Sequence, residues 1–183
     1  MVEPLVGEPL ALDLVNTRGR LVGGEDFDVL ADADGVRRWL ALEADRLPVA
    51  GDVEPAALRA LREHVAEAVE RVRQGAAPPA GALQALGDAQ RAAPRHRELV
   101  WDGGAVVAVA RRSGDPTLDV LAELAEAAAD LLTDPAVTTV RRCEGPQCRM
   151  LFLPAHPRRR WCSPQLCGNR VRVARYYRRH RSE

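Results

Sequence analysis

The chain has 183 residues and is 46% hydrophobic, enough for one core of ordinary size and a small second unit. No run approaches 18 consecutive apolar residues, so no membrane-spanning helix is expected, and residues 1–20 carry Glu3, Glu8 and Asp13 in place of an apolar secretory core, which points to the cytoplasm. The net charge is zero, but residues 1–140 hold 14 Arg against 24 acids while residues 141–183 hold 12 Arg against 2, Glu144 and Glu183. That asymmetry fits an acidic body with a basic nucleic-acid-binding tail, or a tail docked on the body.

In chain order, residues 9–17 form a short apolar element whose period does not separate helix from strand. Residues 18–33, with Gly19, Gly23 and Gly24, read as a loop. Asp34 offers a cap for a helix over about 35–46, with Val36, Trp39 and Leu40 inward, and Pro48 and Gly51 break it. The clearest helix spans about 54–74. Its Leu58, Leu61, Val65, Val69 and Val72 step by three and four, and Gly75 stands at the C-cap position. After a Pro/Gly linker comes a helix at about 82–92 with Leu83 and Leu86. Apolar runs around Asp102-Gly103-Gly104 predict a β-hairpin. Asp115-Pro116 opens a helix over about 117–132 with Leu118, Leu121, Leu124, Ala128, Leu131 and Leu132 on one face, and Val137–Arg142 reads as a short strand. The expected fold class is α+β: a mostly helical N-terminal domain with a small hairpin over 1–140, and a small C-terminal module ending in a helix over 141–183.

The four cysteines, Cys143, Cys148, Cys162 and Cys167, are spaced C-x4-C-x13-C-x4-C. Two locally paired sets suit the closed tetrahedral shell of one structural Zn²⁺. Two disulfides are the alternative, disfavoured in a cytosolic chain. His156 and His180 are substitute ligands to consider. Met150–Leu153 reads as a strand under the metal, and Trp161 as an aromatic plug beside it. Arg158, Arg159 and Arg160 form a candidate phosphate clamp, the alternative being a solvated charge run.

Ser163-Pro164 starts a helix expected to run to about Arg181. At 100° per residue Cys167, Val171 and Ala174 share the metal-side face, while Gly168, Arg172, Arg175 and Arg179 lie opposite. Asn169 and Arg170 flank that stripe near the helix start. One anchored face and one cationic face are what a groove-binding helix requires. Its outer face lacks the large apolar side chains of a membrane-surface helix. All 26 basic residues are arginine, which reads as the codon bias of a GC-rich bacterial genome.

Arg160-Trp161-Cys162-Ser163 and Cys167-Gly168-Asn169-Arg170, with Leu151-Phe152 before them, resemble the CGNR-type zinc fingers over about 143–181. The family usually has Asp where Pro154 stands, and a loop about two residues longer before the arginines. The resemblance implies DNA binding. Leu12-Asp13-Leu14-Val15-Asn16-Thr17 and Glu98-Leu99-Val100-Trp101 resemble the ABATE domain, described as a stress-induced transcription regulator. It covers about 5–140. In this resemblance Asp13 and Asn16 are candidates for a ligand pocket, against a helix-capping or core hydrogen-bond role.

The expected function is therefore a DNA-binding transcription regulator: the zinc module meets duplex DNA, and the N-terminal domain senses a small-molecule effector or mediates association as a homodimer. RNA binding and a zinc-dependent adaptor for an acidic protein are the alternatives. No Ser-His-Asp, P-loop or His-Glu-x-x-His arrangement is present, so catalysis is not expected.

Overall fold

The computed structural model describes residues 6–20, 26–47, 51–112 and 114–180, with the backbone alone at 174, 175 and 177–180. Glu3, Gly23, Gly24, Pro48, Arg181 and Glu183, named above, lie outside the described residues. The class is α+β, with helices α1 (Leu10–Val15), α2 (Ala33–Leu42), α3 (Pro55–Arg73), α4 (Ala80–Ala92), α5 (Pro116–Thr133) and α6 (Asn169–His180). Among the described residues three two-stranded antiparallel sheets accompany them: β1–β2 (Arg18–Arg20 with Asp26–Asp28), β3–β4 (His96–Trp101 with Val106–Arg111) and β5–β6 (Arg141–Arg142 with Leu151–Phe152).

The ambiguous apolar element is the helix α1, and it is buried on all sides at Ala11, Leu12, Asp13 and Leu14. It lies against α3 and α5, and α4 closes the bundle on both of these. The α3 stripe is inward as its period demands: Leu58, Val65 and Val69 are fully buried, each contributing about 1.5–3 kcal/mol over an exposed side chain. Pro55 and Pro116 stand in the first turns of α3 and α5, where a missing N–H costs nothing, and the Asp115 side chain accepts from Leu118 N–H. Gly75 follows α3 at φ +72°, the left-handed conformation that ends a helix.

Several expectations need correction. Asp32, not Asp34, caps α2: its backbone is extended and its Oδ1 accepts from Gly35 N–H at 2.7 Å, while Asp34 sits inside the first turn. The 18–33 segment is more than a loop, since β1 and β2 pair within it and a 3-10 turn (Val29–Ala31) follows. Residues Pro135–Thr139 form a 3-10 turn capped by Asp134, so only Arg141–Arg142 of the expected 137–142 strand is extended. Leu118, placed on the apolar face of its helix, is 37% exposed.

Candidate metal centre and nucleic-acid interface

β5 delivers Cys143 and β6 follows Cys148, so the strand pair fixes the first two cysteines on one knuckle. Cys143 N–H donates to Met150 C=O at 2.9 Å and Cys148 N–H to Gly145 C=O at 3.0 Å. The turn passes through Gln147 at φ 63°, a left-handed conformation unusual outside glycine. Gly145 is needed for close approach, because a Cβ there would stand 3.1 Å from Cys167 Cβ and 3.2 Å from its sulfur. Gly145 N–H and Cys162 N–H both point at Cys143 Sγ at 3.4 Å, an arrangement that favours a thiolate. The second pair comes from the start of the C-terminal helix. Ser163 caps it by accepting from Leu166 N–H at 3.2 Å, and Pro164–Gly168 form a π-turn that carries Cys167 back over the knuckle.

All four sulfurs lie within 4.8 Å of one another, with Cys148–Cys162 at 3.8 Å and Cys162–Cys167 at 3.6 Å. A tetrahedron with Zn–S bonds of about 2.3 Å has edges of about 3.8 Å. The separations are far longer than an S–S bond, and all four thiols are free. His156 is not in the cluster, and it is exposed. The donor set also calls for a cation. Hydrogen bonds from the Cys148 and Cys162 thiols hold Cys143 down at about 2, while the same cluster pushes Cys148 up to about 12 and Cys162 upward as well. Burial and the Cys143 charge push Cys167 up. Four such groups ionise together only around a divalent ion.

Beneath the cysteines lies a small apolar floor of Met150 and Phe152, with Phe27 and Trp161 packed against it, so Trp161 is the plug its position suggested. Gly168 is buried, contrary to its expected place on the outer face. The wide π-turn rotates it inward, and a Cβ there would meet the Trp161 ring at 3.5 Å.

The tail arginines divide into two groups. Arg159 is turned inward: it donates to the carbonyls of Trp161 (3.2 Å), Leu153 (3.2 Å) and Cys162 (2.7 Å), pairs with Glu8 (2.5 Å), and stacks 4.5 Å from the Phe152 ring. Arg142 reaches Glu70 on α3 at 3.4 Å and Arg149 reaches Asp26 at 4.0 Å, so this side of the tail docks on the acidic body. Arg160 pairs with Glu144 and stands over Trp161 at 5.5 Å, itself half exposed. Arg158, Asn169 and Arg172 are exposed and Arg170 is half-buried; among the described residues these three arginines make no ion pair. Arg175 and Arg179 lie on α6, but their side chains are outside the description.

Asp13 and Asn16 both sit in the interior. Asp13 accepts from the N–H groups of Gly7 (2.9 Å) and Glu8 (3.2 Å) and from Arg46 (2.5 Å). Asn16 Oδ1 accepts from Leu151 N–H at 2.9 Å and its Nδ2 donates to Leu151 C=O at 2.8 Å. A cleft of about 810 Å³ opens where β1–β2, α3 and the zinc module meet; Arg18, Asp26, Glu67, Arg142 and Arg149 are among its walls, and Asp13 and Asn16 are not. Three charged residues escaped sequence reading. Arg62 is buried and clamps Asp28 through both nitrogens, at 2.6 and 2.7 Å. Its signal was its place, four residues after Leu58 on the buried stripe of α3. Glu43 and Arg46 close the ion cluster around Asp13, and nothing local marks them.

Comparison with known families agrees with this geometry. Residues 8–135 match the family model ABATE, described as "Putative stress-induced transcription regulator", and residues 139–180 match the CGNR zinc finger. No curated protein matches the chain. A four-cysteine cluster inside a zinc-finger match fits one structural Zn²⁺. Among the described residues no helix is long and apolar enough to cross a membrane.

Proposed function

The chain belongs to the ABATE family and ends in a CGNR zinc finger, and from that premise we propose that it is a cytoplasmic DNA-binding transcription regulator. Cys143, Cys148, Cys162 and Cys167 are the zinc ligands in this reading. The metal folds the module of residues 141–183, which has too little apolar surface to fold by itself. The N-terminal domain, residues 1–140, senses an effector or mediates association.

The observation that carries the reading is the division of the tail's arginines. One side is spent on the body and on the module's own carbonyls. The other side leaves Arg158, Arg170 and Arg172 without an ion pair among the described residues, next to exposed Asn169 at the start of α6. A helix anchored through a metal ligand and cationic on its outer side can enter a groove, with Asn169 and Arg170 near base edges and Arg172, Arg175 and Arg179 on phosphates. Arg158 extends the cationic surface along the loop, Arg160 stands beside it paired with Glu144, and Arg159 braces the loop from behind.

The test compares duplex DNA, single-stranded RNA and an acidic protein in one anisotropy assay at two salt concentrations. The proposal expects duplex DNA to bind most tightly, with a steep loss at higher salt. Preference for RNA or for the acidic protein would overturn it.

A further inference from the structure

The β3–β4 hairpin is built like the inside of a protein but stands in solvent. Its strands pair only with each other among the described residues, in continuous register and without a bulge. Register places Arg97, Leu99 and Trp101 on the same face as Ala110, Ala108 and Val106. On that face Leu99 is 72%, Trp101 66% and Val106 63% exposed, whereas on the other face Val100 and Val107 are 36% and 37% exposed. A two-stranded ribbon is marginal by itself in water, and a concentrated apolar face with an exposed aromatic side chain marks a contact surface.

The charges identify the occupant. On the less exposed face Glu98 and Arg111 neutralise each other at 3.0 Å. On the apolar face the one charge is Arg97, at the base of the hairpin, and Asp102 follows Trp101 at the tip; neither makes an ion pair among the described residues. We propose that a second copy of this chain covers this face, the two hairpins stacking antiparallel about a two-fold axis through Leu99 and Ala108. Leu99 then meets Leu99 and Ala108 meets Ala108. Two residues from the axis, Trp101 of one copy receives Arg97 of the other, a cation–π contact, with Asp102 beside the same guanidinium. Val106 lands on the small Ala110. Val106 thus fills the space left by Ala110, and Arg97 meets the aromatic face and the carboxylate of the other copy, twice over, as a two-fold contact requires.

This deepens the association half of the proposed function and does not depend on DNA binding. Sedimentation equilibrium of the full zinc-loaded chain, without DNA, tests it. The expected mass is twice the 20.0 kDa chain at micromolar concentration. Trp101→Glu should weaken dimerisation by about 30-fold or more while circular dichroism and zinc content stay unchanged. Arg97→Glu should also weaken it, and adding Asp102→Arg should restore much of the loss. A monomeric wild-type chain would overturn the proposal, as would a dimer indifferent to Trp101→Glu or a charge swap that rescues nothing. DNA affinity is read separately and stands or falls without this result.

Discussion

Asn16 holds Leu151 by both ends of one amide, its oxygen on the N–H at 2.9 Å and its nitrogen on the C=O at 2.8 Å, across 135 residues of chain. The side chain acts as a strand of one residue, satisfying the edge of β6 where, among the described residues, no third strand pairs with it. Leu151 itself belongs to the body's core, while its neighbours Met150 and Phe152 floor the metal cluster. Glu8 adds to the seam by accepting from Leu153 N–H at 2.9 Å and pairing with Arg159. The residue that caps the end of α1 thus fixes where the zinc module sits.

Asn16→Ala should therefore destabilise the protein by about 2–4 kcal/mol, because a buried donor and acceptor lose their partners at once. Asn16→Asp should do no better at neutral pH, since a carboxylate would face the Leu151 carbonyl. Urea denaturation measures both. A loss under about 0.5 kcal/mol would mean that the seam carries no weight.

The purified chain should contain one Zn²⁺, with its thiols slow to react until a chelator is added. Cys167→Ser should lower zinc content and unfold the module, because a buried ligand is lost beside Cys143. Well under one zinc by elemental analysis, with four reactive thiols in the native chain, would exclude the site.

A fragment of residues 1–140 should stay helical, since among the described residues Leu151 alone of the buried core, with half-buried Leu153 against it, comes from beyond that point. It should also melt earlier than the full chain, having lost the Asn16 partner. An unfolded fragment by circular dichroism would place the boundary elsewhere.

The pH dependence of stability has a defined sign at Glu43. Burial pushes its carboxyl above the usual range and the neighbouring Asp13 adds to this, with Arg46 offsetting part. A raised carboxyl contributes fully below its unfolded value, and that contribution is lost as pH rises through the folded value. Glu43→Gln should match wild type in mild acid and exceed it increasingly towards neutral pH, read as urea midpoints at each pH. A difference that is flat with pH would contradict the assignment.

What could be read from sequence was local. The cysteine pairs, the Asp-Gly-Gly hairpin and the α3 stripe each declare themselves within a few residues, because knuckles, tight turns and helix faces are short-range objects. The β1–β2 pair escaped because each strand has only three residues. The π-turn at Pro164–Gly168 escaped because a capped start with proline reads the same for any helix, yet it turns Gly168 inward. Arg159 was indistinguishable from its neighbours in a run of three, and only tertiary contacts with Glu8 and Phe152 set it apart. The Asn16–Leu151 pairing has no sequence signal at such separation.

In the proposed function the outer side of α6 meets DNA. The most direct measurement is the salt dependence of duplex binding by the Arg172→Ala/Arg175→Ala/Arg179→Ala variant beside wild type. If all three contact phosphates, affinity should fall and the slope of log K against log[salt] should shrink by about 0.9 per contact, about 2.7 in total. Zinc content and folding should be unchanged, while changes at Asn169 and Arg170 should reduce sequence discrimination more than the slope. Unaltered affinity and slope in the triple variant, with zinc intact, would contradict the account.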